Sequence, residues 1–302
     1  MNVAAVDIGT NSIRVLITDA RGTELERHMQ ITRLGQGVDV SGALHPDAIA
    51  RTVKVLGEYG ALIAKHGVRR VRAAATSAAR DASNSQVFFD AAERALGTRP
   101  ELLSGEEEAA LSFQGATEGV DRALAPFLVV DIGGGSTEFV LGSERPEALI
   151  SVDMGCVRMT ERHLHGDPPT AAELAALNAD VRDKLEAVKR AVPVQRARTM
   201  IGLAGTVTAL ASFHLGLRRY DASKTHHARL TRGDVERAYE RLTALDVEGR
   251  RGVLAEPKRA EVIAGGAGVL VAILREFAID ALVVSETDIL DGLAASLRGS
   301  SG

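Results

Sequence analysis

The chain has 302 residues, of which 45% are hydrophobic and 25% charged, and its formal net charge is −4. That length suits two domains with a core in each, and the ordinary balance of apolar and charged residues excludes a disordered or fibrous chain. A mildly acidic chain without an Arg/Lys run interleaved with aromatics is not held to nucleic acid by a general basic field, so any polyanion has to be gripped locally.

The longest uncharged apolar run, residues 262–274, lies between Glu261 and Arg275 and is too short to span a bilayer, so it reads as a buried helix. With no secretion signal legible at the start, the expectation is a cytoplasmic protein with no membrane partner. Cys156 is the single cysteine, which excludes an internal disulfide; it reads as core packing.

In chain order, residues 4–17, AAVDIGTNSIRVLI, read as two apolar strands joined by a small-residue turn, a β-hairpin. A third strand is expected over 24–34, and Pro46 opens an amphipathic helix that runs to about residue 66. A strand over 68–75 leads into TSAARDASN, a turn-rich stretch opening another helix, and residues 101–103 form a short strand before LSGEEEAALSF. After a polar connection at 118–122, a second domain begins near Pro126 and repeats the order. Its hairpin is 128–141, LVVDIGGGSTEFVL, followed by a strand over 148–154, helices over 156–190, and a strand over 199–203 that meets AGTVTAL. A helix over 257–277, a strand over 281–284 and a helix over 289–297 complete the alternation, which predicts an α/β fold. The expected domains are 1–124 and 125–286, with a helix within 287–302 packing back on the first. The terminal Gly-Ser-Ser-Gly reads as a mobile appended tail. Gly265, Gly266 and Gly268 each cost their helix about 1 kcal/mol relative to Ala, so close packing against a neighbour is expected there.

The two hairpins match at five of fourteen positions: Val6/Val130, Asp7/Asp131, Ile8/Ile132, Gly9/Gly133 and Ser12/Ser136. Glycines such as Gly133, Gly134 and Gly135 let backbone N–H groups approach phosphate oxygens closely, and Ser12 and Ser136 add hydroxyl donors, so a repeated phosphate-gripping turn is expected. Glu138 lies on the same side of its strand as Ser136, and with Asp131 it forms an oxygen donor pair suited to Mg²⁺. Mn²⁺ and a monovalent cation stay open. The matching position in the first hairpin is Arg14, which either lines the phosphate site or forms a salt bridge. Ser104 and Glu107 fit a capping box. Glu106 complements the helix dipole, which leaves Glu108 as the candidate general base. Arg80, at a turn past a strand, either grips phosphate bidentately or pairs with an acid such as Asp81. Gly205 and Thr206 open a helix whose free N–H groups suit an anion. His226 and His227, adjacent in sequence, read as surface residues.

Together, VDIGTNSIRVLI, ATSAARDASN, LSGEEEAALSFQGA, VVDIGGGSTEFVLG, DMGCVRMTERHL and IGLAGTVTAL resemble the exopolyphosphatase and guanosine pentaphosphate phosphohydrolase family, in order and over nearly the whole chain. The hairpins alone would indicate only the broader actin, hexokinase and Hsp70 superfamily. The resemblance implies two actin-like (ribonuclease H-like) domains with the active site in the cleft between them, and a homodimer. It implies hydrolysis of the terminal phosphate of inorganic polyphosphate, or of guanosine pentaphosphate, by water activated by Glu108. Asp131 and Glu138 inherit the metal role. Phosphate contacts are implied for Thr10, Asn11, Ser12, Arg80 and Gly133 through Ser136, and further for Gly205, Thr206 and Arg158. Two departures stand out. Longer relatives carry additional C-terminal helical domains, so short polyphosphate is the expected preference. SETDILDGL also replaces the more usual Gly-Leu-Arg-Glu-Gly-Leu, which puts Thr287, Asp288 and Asp291 where substrate selection could change. An ATP-dependent kinase and a non-catalytic polyphosphate or nucleotide sensor are the competing readings.

Overall fold

The structure is a computed structural model that describes residues 1–298; the terminal Gly-Ser-Ser-Gly lies outside the described residues. The chain divides into two compact units, Met1–Gly115 with the segment from Thr287, and Ala116–Glu286.

The first unit runs β1 (Val3–Ile8), β2 (Ser12–Thr18), β3 (Glu24–Ile31), α1 (Val38–Ser41), α2 (Pro46–Lys65), β4 (Arg70–Ala75), α3 (Ser77–Asp81), α4 (Ser85–Leu96), β5 (Glu101–Leu102) and α5 (Gly105–Thr117). Its sheet has the order β3-β2-β1-β4-β5; β1, β2 and β3 are antiparallel neighbours, while β1, β4 and β5 run parallel. The central strand β1 is buried along its whole length, which is why it reads as a continuous run rather than an alternation. The edge strand β3 is largely exposed and carries Glu24, Glu26, Arg27 and His28, charges that discourage pairing with another chain. Proline in the first turn and the His45 side chain, accepting from Asp47 N–H, start α2 where expected. The TSAARD stretch is itself a short helix, α3, rather than a plain turn.

The second unit continues with β6 (Phe127–Ile132), β7 (Thr137–Gly142), β8 (Pro146–Val152), α6 (Cys156–His163), α7 (Ala171–Ala191), β9 (Thr199–Leu203), α8 (Ala204–His214), α9 (Ala222–Thr225), β10 (Arg229–Thr231), α10 (Arg232–Thr243), α11 (Val247–Val253), α12 (Ile263–Glu276) and β11 (Ala281–Val284). Its sheet order is β10-β11-β9-β6-β7-β8. Five of these strands, β8-β7-β6-β9-β11, repeat the order and directions of β3-β2-β1-β4-β5. Each unit is thus an actin-like α/β layer arrangement. The expected helical stretch over 156–190 is two helices, separated by a segment holding Pro168 and Pro169, and the expected helix over 257–277 is a 3₁₀ turn (Pro257–Arg259) followed by α12. Strand β10 has three residues, too few to show a period of two in sequence.

Buried helix α12 explains its glycines. A Cβ on Gly265 would collide with the Thr160 hydroxyl, one on Gly266 with the Thr206 hydroxyl, and one on Gly268 would come within 2.8 Å of Leu177. Close packing against α6, α7 and α8 is what those residues serve.

The final helix, α13 (Ile289–Arg298), lies against the first unit's sheet, where Ile289, Leu290, Leu293 and Ala294 pack with Ala5, Leu16, Ala74 and Leu103. Alternation along β1 and β2 therefore puts Asp7, Ser12 and Arg14 on the α13 face, while Val6, Ile8, Ile13 and Val15 join the larger core of α2 and α4. Two glycines set how closely α13 meets α5. A Cβ on Gly115 would collide with the Asp288 carbonyl, and one on Gly292 with the Leu111 carbonyl.

Candidate active site

In the first hairpin, Gly9 N–H donates to Ser12 O at 3.0 Å and closes the turn. The loop is held from behind by Gly35 N–H to Thr10 O (2.8 Å) and by Thr32 and Arg33 N–H to Asn11 O (3.1 and 2.9 Å). Because a trans peptide points its C=O and N–H in opposite directions, these anchored carbonyls turn the N–H groups of Asn11 and Ser12 away from the supporting segment. Gly35 is a glycine because a Cβ there would collide with the Thr10 methyl. Asn11 is 7% exposed, and its side-chain amide nitrogen has no hydrogen-bond partner among the described residues. A buried donor of that kind fits an anion ligand.

Equivalent closure recurs in the second hairpin, where Gly133 N–H donates to Ser136 O at 3.0 Å. Here the start of α6 holds the loop: Cys156 N–H reaches Gly133 O (2.9 Å), Val157 and Arg158 N–H reach Gly134 O (2.8 and 3.2 Å), and Gly155 N–H reaches Gly135 O (3.0 Å). With all three carbonyls drawn toward α6, peptide planarity aims the N–H groups of Gly134, Gly135 and Ser136 the other way, as an array of donors. Gly155 is needed for close approach, since a Cβ there would strike the Gly134 carbonyl. Arg158 touches this loop as well: its Nε donates to Gly135 O at 2.8 Å, so the contact made by its side chain supports the loop from behind.

The two hairpins differ at one cross-strand position. On β6 and β7, Asp131 faces Glu138, and Ser151 on β8 donates to Glu138 Oε1 at 2.7 Å. Both carboxylates are buried, at 7% and 1% exposure. Like charges directly opposite on antiparallel strands repel, so this pair fits a cation between them. No group of three or more His, Cys, Asp or Glu side chains is gathered as a metal site among the described residues. An ion held by Asp131 and Glu138 would complete its shell with water and substrate oxygens, the habit of Mg²⁺.

On β1 and β2 the same register pairs Asp7 with Arg14. Arg14 Nε and Nη2 donate to Asp7 Oδ2 at 3.0 and 2.7 Å, and Nη1 donates to Asp288 Oδ2. Burial opposes charge on the guanidinium, yet Asp288 and Asp7 more than offset it and hold its pKa well above the ordinary value. Burial pushes the Asp7 carboxyl up, against the pull of Arg14. Of the two roles open to Arg14, the structure shows the salt bridge, made with Asp7 and Asp288. Asp288 caps α13 through Leu290 N–H to Oδ1 (3.0 Å), Asp291 accepts from Asp288 N–H (3.0 Å), and Arg27 clasps both Asp291 oxygens.

The capping box at the start of α5 forms as expected: Glu107 N–H donates to Ser104 Oγ at 3.2 Å and Glu107 Oε2 accepts from Ser104 N–H at 2.9 Å. These bonds hold the Glu107 carboxyl below its usual range. Glu106 is exposed. Glu108, half-buried, sits 3.3 Å from Arg80 Nη1, which also donates to Leu103 O at 2.8 Å. An acid that partners Arg80 is therefore Glu108, 28 residues away. At the β9–α8 turn, Ala204 takes a left-handed conformation (φ 66°), and the Arg259 guanidinium lies where a Gly205 side chain would be. Thr206 turns its hydroxyl inward toward Gly266 and the Cys156 thiol, so this turn offers backbone donors. Burial pushes the Cys156 thiol up, consistent with packing. His226 Nδ1 accepts from Glu286 N–H at 3.1 Å, and His227 stacks on it, exposed.

Sequence reasoning missed Gly35, Gly155 and Arg259, which shape the three turns from behind. LGQG and MGC carried a glycine signal for the first two; Arg259 had none. No helix among the described residues is long and apolar enough to cross a membrane.

The pattern of the Ppx/GppA phosphatase family matches residues 16–300. The chain is 48% identical to exopolyphosphatase 2 of Mycobacterium tuberculosis, covering 98% of both sequences. It is 31% identical to the guanosine-5'-triphosphate,3'-diphosphate pyrophosphatase of Vibrio atlanticus, covering 96% of this chain and 58% of that one. A crystal structure described as an exopolyphosphatase-like protein superposes with a TM-score of 0.96 at 38% identity, over 99% of each chain. A match of this extent, on a fold built from the same repeated hairpin unit, means that the chain belongs to the Ppx/GppA phosphatase family and is a phosphoanhydride hydrolase.

Proposed function

We propose that this enzyme is an exopolyphosphatase that releases the terminal phosphate of inorganic polyphosphate, short chains in preference, by in-line attack of water. The observation that carries this reading is the meeting of Arg80 and Glu108 at 3.3 Å, a carboxylate held beside a phosphate-suited guanidinium at the start of a helix. The 48% identical exopolyphosphatase of M. tuberculosis supports the choice of substrate.

Glu108 takes a proton from water and so raises its nucleophilicity toward phosphorus. Within the first unit, Arg80 and the N–H groups of the hairpin turn are donors suited to phosphoryl oxygens, and fixed donors need little reorganisation as charge builds; the second hairpin's N–H groups are suited to the same chemistry. Asn11 supplies its buried amide donor. Asp131 and Glu138 would hold Mg²⁺, which when bound neutralises charge on the phosphates. Guanosine pentaphosphate is the second reading, favoured by the V. atlanticus relative. The deciding experiment measures phosphate release from tripolyphosphate, long polyphosphate and guanosine pentaphosphate, with Mg²⁺ and with chelator. Fastest Mg²⁺-dependent release from tripolyphosphate is expected. Release only from guanosine pentaphosphate would transfer the assignment, and release only when an acceptor is added would indicate a kinase.

A further inference from the structure

The contact between Arg14 and Asp288 goes beyond capping a helix. Arg14 lies on the same sheet face as Ser12, two residues from the first phosphate turn, and keeps 21% of its side chain exposed. An arginine there would be a natural extra ligand for a second phosphate group. Instead its donors go to Asp7 and Asp288, carboxylates at 5% and 3% exposure, so the three side chains together carry one net negative charge. Asp7 alone would leave a neutral pair with one face of the guanidinium still available. It is Asp288, at the start of α13, that tips the formal charge of the cluster to negative and occupies Nη1.

We infer that Asp288 is a specificity-determining residue acting through Arg14: it withholds the guanidinium from anions and limits how many phosphate groups the first unit can hold at once. The inference rests on the proposed phosphate role of the first hairpin turn. It predicts that discrimination is by charge and phosphate count.

Asp288→Asn separates this role from a structural one, because asparagine is as good an N-cap as aspartate and has the same shape. Calorimetric affinities of wild type and D288N for orthophosphate, pyrophosphate and tripolyphosphate, in the absence of turnover-supporting metal, read it directly. One freed charge-assisted hydrogen bond is expected to tighten tripolyphosphate about tenfold and orthophosphate little. The gain should vanish in R14Q/D288N. Equal affinities for the whole series in wild type and D288N would overturn the inference, as would a uniform loss of binding with a lowered melting temperature, which would make Asp288 an anchor of α13 only. Because the readout is binding, absence of phosphate release from every substrate would overturn the exopolyphosphatase reading without touching this one.

Discussion

The two hairpins have the same backbone and opposite electrostatics. Each closes with a glycine N–H donating to a serine carbonyl at 3.0 Å and carries a buried aspartate at the penultimate position of its first strand. Across the ladder from that aspartate, however, stands Arg14 in one and Glu138 in the other. The first is a closed ion-pair cluster satisfied within its own unit. In the second, two carboxylates face each other where a cation would relieve their repulsion. One turn geometry, duplicated, therefore gives an internally ion-paired anchor in one copy and a cation-suited pair in the other, and the contrast starts from a single cross-strand position.

The largest effect should follow from erasing that difference. Glu138→Arg copies the first hairpin into the second, so Asp131 would gain an internal partner and lose a metal. Charge stabilisation by a metal is worth several kcal/mol, and phosphate release should fall roughly a thousandfold or more. Activity within the wild-type range would break the contrast between the copies. Next comes Arg14→Ala, which leaves Asp7 and Asp288 buried without their cation. Breaking such a pair costs about 3 to 5 kcal/mol, to be read as a lower denaturant midpoint, and an unchanged midpoint would mean that the first hairpin is not an anchor.

How much of this was legible in the residues follows from what kind of signal each part leaves. The fold class was legible because a repeated Asp-Ile-Gly-x-x-Ser within apolar runs encodes both the hairpin and its duplication. The Ser104–Glu107 box was legible because it is local, and by using up Glu107 it isolated Glu108. The full salt bridge of Arg14 was not, because one of its two partners is Asp288, 274 residues away. Gly35, Gly155 and Arg259 escaped for the same reason: their necessity lies in what touches them across the fold, and sequence spacing carries no record of that contact.

The smallest expected effect concerns the scaffold below the second hairpin. Glu173 caps α7 and also accepts from the N–H groups of His165 and Gly166, in the segment that follows α6. These backbone bonds, that from Thr170 first, hold its carboxyl near 2 against an ordinary 4.5. A depressed folded-state pKa means that the stabilisation is fully present above about pH 4.5 and is lost as pH falls toward 2. Glu173→Gln should flatten the melting temperature against pH in that window, and an unaltered slope would remove Glu173 from the acid response.

The central claim is that Glu108 activates water beside a phosphate that other groups hold. It is tested most directly by measuring tripolyphosphate affinity and phosphate release on one preparation of Glu108→Gln. Retained binding with turnover reduced roughly 10²- to 10⁴-fold is the predicted result. Turnover equal to wild type would contradict the account.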